Sequence, residues 1–252
     1  MKERSNSIQV LERMASLLDA IVLHGNDASL KVLSAETGLH TSTAYRILAS
    51  LGDIGFVERT AGGNYQLGVK LLQLGGRVAA QVDIRREALP IMEALRDQVG
   101  ETVNLTVREG DELVYIERSI AKRIMRVEQI VGSRAPLHVT AVGKLMLAEL
   151  GEAACRRYAQ RTGLPGYTDN TITDVEDLIR ISREALEQGY AFDNQEADGG
   201  VGCIGVLIRD ASGAVMAGLS ISAPIERRRD EWIPLLVEAG QRLSARCGFE
   251  GV

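Results

Sequence analysis

Leu30-Lys31-Val32-Leu33-Ser34-Ala35-Glu36-Thr37-Gly38-Leu39-His40-Thr41-Ser42-Thr43-Ala44-Tyr45-Arg46-Ile47-Leu48-Ala49-Ser50-Leu51 reads as two short helices joined by a tight turn. Leu30 and Leu33 sit one helical turn apart, and small Ser34 suits a close helix crossing. Gly38 stands where the chain must turn sharply and a positive φ costs least. Leu39 returns to the core. Thr41, Ser42 or Thr43 then caps a second helix with Ala44, Ile47, Leu48 and Leu51 inward. Ser42, Thr43, Tyr45, Arg46, Ala49 and Ser50 are left pointing outward. Such a face fits a DNA major groove, where it would meet base edges and phosphates. The plainer alternative is a helical hairpin with a solvated polar face.

The next segment favours DNA. Phe56-Val57-Glu58-Arg59 and Tyr65-Gln66-Leu67 flank Thr60-Ala61-Gly62-Gly63-Asn64, a β-hairpin with a glycine-bearing tip. A hairpin directly after a recognition-type helix is a wing, and Arg59 would lie beside phosphate there. Upstream, Ile8, Leu11, Met14, Leu18 and Ile21 recur at helical spacing and supply the third side of this core.

At 252 residues the chain has room for two domains and a sizeable core. No apolar run reaches transmembrane length and the first residues lack a signal-peptide core, so the expected location is the cytoplasm, with no membrane partner. Cys155, Cys203 and Cys247 are far apart and show no metal-ligand spacing, so neither a disulfide framework nor a metal or other cofactor is implied. The net charge of −5 excludes indiscriminate nucleic-acid binding. Residues 1–81 hold eight Lys and Arg against seven Asp and Glu. Phosphate contacts must therefore come from placed side chains such as Lys31, Arg46, Arg59 and Lys70.

The organisation expected is a DNA-binding unit over 1–68, a linker helix over 69–82 and a larger domain over 83–252. Gly75-Gly76 would interrupt the linker, and Pro90 implies a bend or late start in the helix that Asp83 opens. After Gly100 the period becomes alternating. Val103–Arg108 and Leu113–Arg118 are strands, Ile124–Val127 is a further short one, and strands recur near 190–194, 203–209 and 215–222. Helices are expected at 141–150, 152–162, 174–188 and 225–246. This is an α+β domain: an antiparallel sheet with helices on one face and room for a pocket on the other.

Five blocks, taken in order, resemble the IclR family of bacterial transcription regulators over nearly the whole chain. They are Gly38-Leu39 with Ser42–Leu48 and Gly55-Phe56-Val57; Tyr65–Gly68 with Leu74-Gly75; Gly100–Leu105; Pro136–Lys144; and Gly189–Asp193 through Glu196, Gly200-Val201 and Cys203-Ile204. The resemblance implies a winged helix-turn-helix, a linker helix and a GAF-like effector-binding domain. It further implies homodimers or homotetramers, operator DNA as partner, and control by a small organic acid; both repressors and activators occur in the family, and repression is the mode expected here. It places an effector among Ala141, Val142, Asp193, Cys203, Ser220 and Ser222, with Ile124, Val127, Ala135 and Val201 as apolar walls.

The residues carry part of this unaided. Thr140-Ala141-Val142-Gly143 looks like a loop turning into a helix, where exposed N–H groups attract an anion. Ser220 and Ser222, two apart on a strand, share a face. Each of these residues also has a plain reading as core or cap. Gly200–Gly205 fits GxGxxG but leads into a strand, so no dinucleotide site is read there. A cysteine hydrolase using Cys203, with His138 as base and Asp193 as orienter, is the competing reading from another class. Otherwise no catalytic residue is implied, and the non-catalytic alternative is a ligand-independent DNA-binding protein whose second domain serves only assembly. Arg227-Arg228-Arg229 reads as a solvated helix start, with a phosphate or partner contact as the alternative.

Overall fold

The computed structural model describes residues 8–79 and 83–250. Contacts divide the chain into two compact units, 1–81 and 82–252.

In the first unit, helix α1 (Gln9–Leu23) packs on α2 (Leu30–Thr37) and α3 (Thr41–Asp53), and strands β1 (Val57–Arg59) and β2 (Tyr65–Leu67) form the hairpin. Leu17, Ile21, Leu33, Ala44, Leu48 and Tyr65 make its core. Ile8 and Leu11 are exposed, contrary to the helical-spacing reading, because contact with the core begins only near Met14. Gly38 ends α2 at φ 65°, the left-handed conformation the turn requires. The cap of α3 is His40 rather than Thr41, Ser42 or Thr43: its Nδ1 accepts from the Ser42 N–H and lies 2.8 Å from the Ser42 hydroxyl. A ring nitrogen thus does what a hydroxyl was expected to do. Helix α4 (Val69–Ala79) runs through Gly75-Gly76 without interruption. The linker apolar positions Leu71, Leu74 and Val78 are expected near an interface between copies; the Val78 side chain and residues 80–82 lie outside the described residues.

In the second unit, α5 (Ile84–Val99) starts on the Asp83 cap and carries Pro90 without a break. The sheet comprises β3 (Thr102–Glu109), β4 (Glu112–Ser119), β5 (Arg134–Pro136), β6 (Ala191–Asn194), β7 (Val201–Arg209) and β8 (Val215–Pro224), antiparallel throughout in the order β5-β4-β3-β8-β7-β6. Val103, Leu105, Leu219 and Ile221 face a core shared with α5 and α9 (Trp232–Arg246). The opposite face is also covered, by α6 (Ala141–Glu149), α7 (Glu152–Thr162) and α8 (Val175–Gln188). Helices thus cover both faces rather than the one expected, and the cavity lies on the second face, between the sheet and the start of α6.

Two further expectations are corrected. Ile124–Val127 forms no strand. The closing helix starts at Trp232 because Arg228 is extended, and because Arg227 and Arg228 are held by partners upstream. Arg227 donates to Glu101 at 2.7 Å, a carboxylate 1% exposed, and to the Met125 carbonyl at 2.9 Å. Arg228 lies 4.5 Å over the Phe192 ring. The arginine run is therefore not a solvated helix start. Among the described residues no helix is long and apolar enough to cross a membrane.

Candidate DNA face and ligand cavity

On α3, Ser42, Tyr45, Arg46, Ala49 and Ser50 are exposed, while Thr43 is half-buried. They share one side because Ala44, Leu48 and Leu51 are drawn into the core. Arg46 has no ion-pair partner among the described residues, so its five donors are free. In the hairpin, Arg59 donates to the Tyr65 hydroxyl at 2.7 Å and lies 4.8 Å over its ring. The wing guanidinium is thereby anchored to the core.

In the second unit a cavity of about 340 Å³ opens above the sheet face opposite α5 and α9. Strand alternation produces it. With Leu219 and Ile221 turned to that core, Ser220 and Ser222 face the cavity, and Thr106 and Cys203 join them from β3 and β7. Val127, Ala135, Ala141, Val142, Asp193 and Val201 complete the set expected from the sequence. Ile124 does not: it is 99% exposed and outside the cavity wall, because its segment is not a strand in the sheet.

Helix α6 reaches the sheet because two strand residues lack side chains. A Cβ at Gly218 would lie 2.1 Å from Val142 Cγ1, and one at Gly205 would lie 2.9 Å from the Val142 nitrogen. The bulk of Val142 is thus seated over glycine. Thr140 caps α6 by accepting from the Gly143 N–H at 3.2 Å. The Ala141 and Val142 N–H groups, at the positive end of the helix, have no backbone acceptor among the described residues.

Asp193 forms the acidic side of the cavity. Its carboxylate accepts the Glu196 N–H at 2.8 Å, yet burial pushes its pKa up to about 6. Glu196 forms a buried ion pair with Lys144 of α6 and accepts the Asn194 N–H at 3.2 Å. This pair ties the helix to the β6–β7 turn, which brings Ala197 and Asp198 to the cavity wall.

Tyr115 is one of the lining residues that sequence reasoning missed. Its hydroxyl and that of Ser220 make no hydrogen bond among the described residues, and both residues line the cavity. Burial, reinforced by Cys203 and Asp193, holds the Tyr115 phenol protonated. Its one sequence signal is an aromatic ring two residues after Leu113 on the same strand face. Arg126, Glu128 and Gln129 were also missed, since they lie on an irregular segment without a period.

Cys203 and His138 do not form a nucleophile–base pair; the acidic neighbour of the thiol is Asp193. Cys203 Sγ lies 3.2 Å from Ser222 Oγ, and burial pushes its pKa up, so the thiol stays neutral. His138 is elsewhere: Nδ1 is 2.8 Å from the Tyr158 hydroxyl and Nε2 is 3.1 Å from the Pro165 carbonyl. Burial lowers its pKa and keeps the ring neutral. Among the described residues no cluster of His, Cys, Asp and Glu is placed to hold a metal ion.

A winged helix-turn-helix in one unit and a polar, ligand-sized cavity in the other define a DNA-binding transcription regulator. Comparison with known proteins agrees. The IclR helix-turn-helix domain matches residues 10–61, and the IclR C-terminal domain of bacterial transcriptional regulators matches 76–245. The chain belongs to the IclR family. The transcriptional regulator KipR of Bacillus subtilis is 31% identical over 97% of this chain and 99% of its own length. The transcriptional repressor AllR of Escherichia coli is 33% identical over 88% of this chain and 83% of its own. Among solved structures, the repressor BlcR of Agobacterium tumefaciens superposes with a TM-score of 0.78 at 27% identity, over 98% of this chain and all of that one. An IclR homologue from Microbacterium hydrocarbonoxydans complexed with 4-hydroxybenzoate gives 0.60 at 27% identity, over 94% of this chain and 98% of its own.

Proposed function

We propose that this regulator is a repressor whose operator binding is controlled by a small organic acid in the cavity beneath α6. The observation that carries the reading is the collection of unmatched donors in one place. The first two N–H groups of α6 and the hydroxyls of Tyr115 and Ser220 surround a space of about 340 Å³ that also has apolar walls. An anionic head group would satisfy the donors, and a short hydrocarbon portion would meet Val127, Ala135 and Val201. Asp193 would accept from a hydroxyl or amine on the same molecule. The 4-hydroxybenzoate held by a solved relative is a compound of this kind. Cys203 serves as a wall. In this reading residues 1–68 bind DNA, 69–82 link the units, and 83–252 bind ligand and assemble the oligomer.

Ser42, Thr43, Tyr45 and Arg46 read an inverted repeat, and Arg59 grips phosphate. Gel-shift titration against the promoter segment adjoining the gene tests the DNA half. Arg46→Ala should cost roughly 1–3 kcal/mol and relax one base position. Arg59→Ala should weaken all sequences alike. Thermal shift against a panel of small carboxylates tests the ligand half, with Ser220→Ala as control. Unchanged operator affinity in Arg46→Ala would remove the recognition role. Equal stabilisation of Ser220→Ala and wild type would move the ligand site elsewhere.

A further inference from the structure

A second cavity, of about 230 Å³, lies at the other end of α6, where that helix meets α7 and α8. Leu147, Cys155, Ile179 and Leu186 give it apolar walls. It exists because Ala148 and Gly151, at the α6–α7 corner, put almost no side chain into the space between three helices. Ser182 also lines it. That residue is 1% exposed, and its hydroxyl has no hydrogen-bond partner among the described residues. A buried hydroxyl left unmatched is costly, and an apolar residue there would avoid the cost. Cys155 contributes no charge, because burial pushes its pKa up.

We propose that this cavity is a second ligand site, separate from the acid-binding cavity, and that it takes a small neutral aromatic or aliphatic molecule bearing one hydroxyl. The apolar walls accept the hydrocarbon, and Ser182 Oγ exchanges a hydrogen bond with the ligand hydroxyl. The size is adequate, since apolar protein cavities of about 150 Å³ already bind benzene. Glu152 and Arg183, both exposed, also line the cavity with opposite charges, so the wall as a whole favours neither sign, and its buried part offers a polar side chain only in Ser182. The wall is functionally placed: α6 spans only Ala141–Glu149, so one rigid helix borders this site with Leu147 and the acid-binding cavity with Ala141.

Phenol and benzene are the probes, followed by amide chemical shifts of the full-length protein. Wild type should show saturable phenol-dependent shifts confined to residues 147–155 and 179–186. It should bind benzene more weakly, by roughly three- to tenfold, the worth of one hydrogen bond. Ser182→Ala removes an unmatched hydroxyl, so the variant should fold. It should bind phenol and benzene equally. Ser220→Ala should leave these shifts as in wild type, which separates this site from the acid-binding cavity. Absence of saturable shifts in these segments, their appearance around Ser220 and Tyr115 instead, or equal phenol affinity in wild type and Ser182→Ala would overturn the proposal.

Discussion

Asp193 shows how one residue links the cavity to pH. Burial is the largest influence raising its pKa to about 6, the nearby Glu196 charge adds to it, and Lys144 opposes it. The folded state therefore holds this proton more tightly than the unfolded chain does. The stability this group contributes is full below about pH 4 and is lost as pH rises to about 6. For an anionic ligand the sign is the same. Neutral Asp193 tolerates a carboxylate, whereas ionised Asp193 repels it. Calorimetric affinity for such a ligand should fall as pH rises above 6, by at most about tenfold per unit. Asp193→Asn should flatten the profile. A variant that keeps the wild-type slope would assign the dependence to another group.

At the scale of elements, the seating of α6 on the sheet is the decisive contact. The Gly218 and Gly205 positions let Val142 and its backbone N–H approach strands that branched side chains would hold away. The three atoms nearest a Cβ at 218 all belong to the Val142 side chain, at 2.1 to 3.0 Å. Gly218→Ala should therefore destabilise the second unit by about 1–3 kcal/mol through overpacking. Val142→Ala in the same chain should recover much of that loss, because the clashing methyl groups are gone. Urea unfolding of the single and double variants measures both, and strictly additive losses would show that Val142 is not the obstacle.

At the scale of the molecule, the two units have separate cores and, in the proposed reading, different tasks. The first carries only a small excess of positive charge, eight basic against seven acidic residues. One copy thus has little electrostatic grip on DNA, and linking two or more would raise apparent affinity without new contacts. Leu72 and Leu74 of α4 are 73% and 43% exposed, and Val69 is 58% exposed, a surface suited to a second copy. Light scattering at micromolar concentration should give a dimer or tetramer. Leu72→Lys with Leu74→Lys should lower the mass and the operator affinity together. A monomer with and without operator would reject assembly on this helix.

The sequence by itself determined what depends on local period and turn chemistry. The inward set Ala44, Leu48 and Leu51, the left-handed Gly38, the wing hairpin, the alternation along β3 and β8, and the paired serines at 220 and 222 were all legible. These patterns repeat within a few residues and need no knowledge of distant partners. What only the tertiary structure decided rests on residues far apart in the chain. One local miss stands apart from these: the His40 ring reaches forward two residues to the Ser42 N–H and takes the cap role expected of three hydroxyls. Tyr115 entered the cavity because β4 lies beside β3 in the sheet. Ile124 left it because its segment is tied down elsewhere, with Arg227 holding both Glu101 and the Met125 carbonyl. The covering of both sheet faces, and the close approach of α6 over Gly205 and Gly218, follow from which surfaces meet once the chain has collapsed. A local pattern states which face of an element is apolar; it does not state which element will bury it.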